Sequence, residues 1–176
     1  TGDSQLATNV ELKGKSRTFY PTNIYWEAAC KYHLNKILKP GEQIFGEIYG
    51  SGVQKNYSYG LNNGERSLVI FDSVVNGKYL DYGNLLRFMS QLEYRTWRIG
   101  EEYRLFLAPI IFYGNYNKET MKELAQGPSI LSKEEAIREG IVIRPINERL
   151  DNRVGRVILK LLNPDYLLQK ENTEWH

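Results

Sequence analysis

The chain has 176 residues, 41% of them hydrophobic and 25% charged, enough for one domain with a real core and short for two. A net charge of +2 announces no nucleic acid globally, so any such surface must be a local patch. The single cysteine excludes an internal disulfide framework and fits a reducing, cytoplasmic setting; no apolar run approaches membrane-span length, and no signal peptide opens the chain.

Residues 1–20 read as loop and edge strands, dense in basic residues (Lys13, Lys15, Arg17). Pro21-Thr22-Asn23 signals a helix start with Thr22 or Asn23 as cap. That helix is predicted to reach Leu38, with Trp26, Ala29, Cys30, His33, Leu34 and Ile37 on its apolar face, before Pro40-Gly41 stops it. Cys30 is read as a buried small residue and His33 as structural. Residues 43–49 form a strand followed by a Gly50-Ser51-Gly52 turn, and residues 67–75 a second strand. Asn76-Gly77 is a strong hairpin signal leading to a short strand at 78–80.

Leu85, Leu86, Phe88, Met89 and Leu92 predict a helix, residues 106–113 a strand, and residues 118–126 a short amphipathic helix ending at Gly127. Ser132 with Glu135 in third position fits a capping box opening another helical turn. Strands at 140–145 and 154–162, linked by a charged turn, close the pattern. The expected class is α+β: mixed, mainly antiparallel sheets with flanking helices, in one domain over residues 1–176.

Three segments place a charge inside an apolar β-type run, where it is costly unless something binds it. They are Phe45-Gly46-Glu47-Ile48-Tyr49-Gly50, Glu139-Gly140-Ile141-Val142-Ile143-Arg144-Pro145 and Val157-Ile158-Leu159-Lys160. Two carboxylates and a lysine on strands suit a pocket for a nucleoside triphosphate and a hard cation, Mg²⁺ or Mn²⁺. One Cys and two His, of which His176 is terminal, do not suit zinc. Each segment alone has a plainer reading: a solvated edge glutamate, an acidic cap before a strand, a lysine on an exposed face. The 13 tyrosines suit base stacking and half-buried strands equally.

In this order and with these neighbours, the segments resemble the covalent nucleotidyltransferases, the RNA and DNA ligases and mRNA capping enzymes, and RNA ligases most of all. Further resemblance comes from Asn9 with Glu11-Leu12, Tyr25-Trp26-Glu27-Ala28-Ala29, Ala108-Pro109-Ile110 through Gly114 to Gly127-Pro128-Ser129, and Asn163-Pro164-Asp165-Tyr166-Leu167. The helix and the closing segment favour RNA ligase over capping guanylyltransferase or DNA ligase. The resemblance implies ATP as cofactor and RNA ends, in a nicked duplex or single strands, as partners of a monomer.

By the same resemblance Glu47, Glu139 and Lys160 are catalytic, with Glu139 on the metal and Lys160 on the phosphates. Phe71, in Val69-Ile70-Phe71-Asp72, stacks under the adenine, and Asn9 lies in the nucleotide site; the plainer role for Phe71 is core packing. Lys13, Lys15, Arg17 and Lys55 are candidates for RNA phosphates, or plain solvated surface. RNA ligases often carry two alternating lysines in the last segment, whereas Ile158 precedes Lys160 here, so one is missing or has shifted to Arg156.

The family's chemistry needs a nucleophilic lysine in Lys-x-(Asp/His)-Gly, and no such tetrapeptide occurs; Lys13-Gly14-Lys15-Ser16 has the wrong spacing. The nucleophile is therefore expected upstream of Thr1, which would make this chain a fragment unable to form lysyl-AMP alone. The competing readings are a catalytically silent nucleotide- or RNA-binding module of the same fold, and a plain α+β interaction domain.

Overall fold

The computed structural model describes residues 10–12, 15–17, 23–53, 58–101, 103–132 and 136–173, with side chains described over 23–53, 58–101, 103–132 and 136–168. A hairpin comes first, β1 (Val10–Leu12) against β2 (Lys15–Arg17). Asn23 then caps α1 (Ile24–Lys31), its side chain accepting from the Trp26 backbone N–H at 3.0 Å.

The predicted long helix is broken. His33 adopts a left-handed conformation (φ 48°) and separates α1 from the single turn α2 (Leu34–Ile37). The break changes which side chains face inward. Ile24, Ala29, Tyr32 and Ile37 are buried, whereas Trp26 and Cys30 are exposed, which corrects the expectation of a buried Cys30. His33 is held by an ion-pair contact of 2.8 Å from its Nε2 to Glu101, consistent with a structural role.

The main sheet is built on β3 (Glu42–Gly50) and β4 (Arg66–Val75), antiparallel over their whole length. Asn76 and Gly77 both have positive φ, as a two-residue hairpin turn requires, and lead into β5 (Lys78–Tyr79). Asp81 caps α3 (Tyr82–Arg98), accepting from the Asn84 N–H at 2.8 Å. Leu85, Phe88, Met89 and Leu92 of α3 pack with Ile24, Tyr32 and Ile37 on Ile48, Leu68 and Ile70, so the core lies on one face of the sheet. Arg95 grips both carboxylate oxygens of Glu42 at 2.5 and 3.0 Å and ties α3 to the start of β3.

Only β6 (Phe106–Leu107) forms from the predicted strand at 106–113; it runs parallel to β4. Pro109 has no N–H to continue the ladder. Asn117 caps α4 (Lys118–Ala125). The helical turn predicted at Ser132 is absent at Ser132 itself, and Glu135 lies outside the described residues. An isolated Pro128–Ile137 bridge carries the chain toward Glu139 instead.

The second sheet pairs β7 (Gly140–Ile143) with β10 (Leu159–Leu162), antiparallel. Between them stands a hairpin of β8 (Leu150–Asp151) and β9 (Gly155–Arg156). The strand predicted over 154–162 is thus two strands, because the chain exchanges its hairpin partner β8 for β7. Pro164 opens α5 (Pro164–Thr173), where its missing N–H costs nothing. The outcome is the expected α+β fold with mainly antiparallel sheets. Among the described residues no helix is long and apolar enough to cross a membrane.

Candidate nucleotide site

Glu47 enters from the middle of β3. Its neighbour Ile48 is buried in the core, so strand alternation puts Glu47 on the opposite face of the sheet. One residue before it the ladder slips: Phe45 faces Asp72 while Gly46 faces Ile70, leaving Phe71 as the extra residue of a β-bulge. Phe71 is the one exposed residue between Leu68 and Val74, at 47%. Its ring is outside the core, unlike the plainer reading from sequence.

Glu139 leads into β7, and Lys160 is the second residue of β10, directly opposite Val142. Lys160 Nζ donates to Glu139 Oε1 at 2.6 Å. Asn163, fully buried, holds this end of the sheet. Its backbone N–H donates to the Glu139 carbonyl at 2.8 Å, its Nδ2 to the Arg138 carbonyl at 3.0 Å, and its Oδ1 accepts from the Asp165 N–H at 3.0 Å. Both glycines beside the glutamates permit close strand approach. A Cβ on Gly46 would stand 2.6 Å from the Val69 carbonyl oxygen, and one on Gly140 2.2 Å from that of Leu161. What these glycines admit is backbone.

Three charges separated in sequence by up to 113 residues therefore act on one another. The bond from Glu139 raises the pKa of Lys160, reinforced by the charges of Glu139 and Glu47 against the effect of burial. Loss of hydration raises the Glu47 pKa, the Glu139 carboxylate raises it further, and Lys160 offsets part of this. Glu47 as a whole remains open to solvent, so the loss is local to a carboxyl crowded by protein. A lysine kept cationic beside two mutually repelling carboxylates is equipped to bind phosphate oxygens and a cation together.

Hard oxygen donors fit Mg²⁺ or Mn²⁺, and Glu47 and Glu139 supply them. No cluster of three or more His, Cys, Asp or Glu suited to a metal occurs among the described residues.

Sequence reasoning missed Val142. It is 58% exposed and shares a sheet face with Lys160, its direct cross-strand neighbour. An exposed valine looks like any strand valine until the partner sheet is known. Also missed was a four-residue ion network. Asp72, 2% exposed, contacts Arg144 at 3.2 Å and Arg156 Nη1, while Arg156 grips both oxygens of Glu148 at 2.7 Å. Arg156 is therefore engaged away from Lys160 and does not stand in for a second lysine there. Asn9, Lys13 and Lys55 lie outside the described residues; Lys15 and Arg17 fall in β2, with side chains outside them.

Comparisons with known proteins bear on the family and the fold. The sequence model of the RNA ligase family matches residues 6–162. The chain belongs to the RNA ligase family. No curated protein matches it. Among solved structures, this RNA ligase family chain is similar to Naegleria gruberi RNA ligase in several states. An apo mutant has a TM-score of 0.67 at 21% identity, covering 89% of this chain and 43% of that one. A mutant with ATP and Mn has a TM-score of 0.66 at 21% identity, covering 89% and 44%. The form with PPi has a TM-score of 0.65 at 21% identity, covering 89% and 43%. The chain thus spans less than half the length of these relatives, and what they share with it is the fold.

Proposed function

We propose that this chain forms the nucleotide-binding part of an ATP-dependent RNA ligase. The observation that carries the reading is the Lys160–Glu139 bond with Glu47 in electrostatic reach, three charges drawn together from separate strands. Phe71, exposed at its bulge, stacks on the adenine, and Val142 offers a second apolar surface beside Lys160. Lys160 binds the nucleotide phosphates as a fixed positive charge where negative charge develops. Glu139, with Glu47, would hold Mg²⁺ or Mn²⁺, which when bound polarises phosphate oxygens.

In the complete reaction a neutral lysine amine attacks the α-phosphorus of ATP. A P–N bond forms, the bond to the pyrophosphate oxygen breaks, and pyrophosphate leaves. The adenylyl group then passes to an RNA 5′-phosphate, and a 3′-hydroxyl displaces AMP to join the ends. No Lys-x-(Asp/His)-Gly occurs in these 176 residues, so the covalent step requires a lysine from outside them. The competing reading is a catalytically silent nucleotide-binding module, in which the longer natural form carries no such lysine.

Two measurements test this. ATP with Mg²⁺ should bind the 176-residue chain saturably, and Lys160→Ala should weaken that binding with little change in melting temperature; no binding by the unmodified chain rejects the nucleotide site. Where a longer natural form carries the lysine motif, ATP and Mg²⁺ should add the mass of AMP to the intact protein. A longer form without that lysine and without mass gain leaves the silent module as the function.

A further inference from the structure

The nucleotide site draws Glu47 and Phe71 from one sheet and Glu139 and Lys160 from the other, so its geometry depends on how the sheets are joined. Among the described residues the apolar core does not join them. Its residues and those packed on it all fall between Ile24 and Leu107. Polar contacts do so instead, made chiefly by Arg144 and Arg156.

Arg156 belongs to β9, four residues before Lys160. Its guanidinium is held on every side. Nε and Nη2 each donate to Glu148 at 2.7 Å, Nη1 pairs with buried Asp72 of β4, and the plane lies 3.8 Å from the ring centre of Tyr79 in β5. Arg144, which follows β7, completes the set. It contacts Asp72 and donates to the backbone carbonyls of Phe71 at 3.3 Å and Leu80 at 3.0 Å.

We propose that Arg156 is a positioning residue that clamps the β8–β9 hairpin onto β4 and β5, and so sets where the Lys160 strand stands relative to Glu47 and Phe71. The nucleotide-site reading underlies the functional half of this proposal; the clamp itself rests on the contacts alone. Only a guanidinium fills the role, because it chelates one carboxylate, pairs with a second and stacks on an aromatic ring at once. Lysine keeps the charge and loses the fork and the plane.

The test measures spacing and binding in the same variants. Spin labels at exposed Gln91 on α3 and Lys122 on α4, with Cys30→Ser, report the distance between the sheets by double electron–electron resonance. Arg156→Lys should broaden or shift that distribution while the far-ultraviolet circular dichroism stays unchanged. It should weaken ATP–Mg²⁺ binding by roughly ten-fold or more, the scale of losing one hydrogen bond to a charged group. Tyr79→Leu, which removes the ring under Arg156 together with its contact to Phe45 within the same sheet, should give a smaller change of the same kind and decides the question if Arg156→Lys fails to fold. A distribution that superimposes on the parent's overturns the proposal, whatever the affinity does. If the parent binds no ATP while the distribution still broadens, the nucleotide reading falls and the clamp stands.

Discussion

A glutamate, a lysine and a phenylalanine that do little for the core stand where the strands leave them exposed, and their substitution should separate binding from stability. Phe71→Ala should cost less stability than the roughly 3–5 kcal/mol of a core phenylalanine, because the ring is already half out in solvent. It should weaken ATP binding more than it lowers the melting temperature; the reverse pattern in paired titration and thermal unfolding would return Phe71 to the core. Glu47 carries a pH signature. Its pKa is raised on folding, so the native state holds this proton more tightly than the unfolded chain does. Stability therefore falls as pH rises through the interval between the ordinary value, 4.5, and the raised one, and the deficit persists at neutral pH. Glu47→Gln should accordingly stabilise the fold at neutral pH and give no gain well below the ordinary value. Urea midpoints at the two pH values decide it. The charges were legible because an ionised group in an apolar strand demands a reason. The exposure of Phe71 was not, because its neighbour on the same sheet face, Val69, is buried, and an aromatic in a strand suits a covered face as well as an open one.

At the scale of elements, backbone approach is the constraint the glycines meet. Gly140 has φ of 157° and lies against the Leu161 carbonyl, so Gly140→Ala should force β7 away from β10. Overpacking of this kind costs roughly 1–3 kcal/mol, read as a lower urea midpoint; an unchanged midpoint would mean the strands have room. The termini of elements were well marked in the sequence. Asn23 and the Asn76-Gly77 turn work as expected, since capping and turn chemistry depend on a few adjacent residues. Elements whose form depends on distant partners were misread. The helix to Leu38 breaks at His33, whose imidazole pairs with Glu101, and the strand over 154–162 divides because its halves belong to different pairings.

For the molecule as a whole, the buried ion network is the feature with most at stake. Glu148 has a lowered pKa, chiefly from its bonds to Arg156, and Glu42 likewise from Arg95. Each contributes stability that is present above the unfolded-chain value and lost as pH falls through the lowered one, so acid should loosen both ties. Asp72→Asn leaves two guanidinium groups facing a neutral amide. It should cost about 3–5 kcal/mol, the range for breaking a buried pair, measured by denaturant unfolding; a loss well under 1 kcal/mol would show that water compensates the arginines. By itself the sequence determined the family, the α+β class, and the turn and cap signals, since each rests on local residue chemistry or on the order of segments. Only the tertiary structure decided that Lys160 meets Glu139 near Glu47, that Phe71 stands outside the core, and that Arg156 serves Asp72, Glu148 and Tyr79. Those outcomes depend on register and sheet placement, which are set by contacts between residues far apart in the chain.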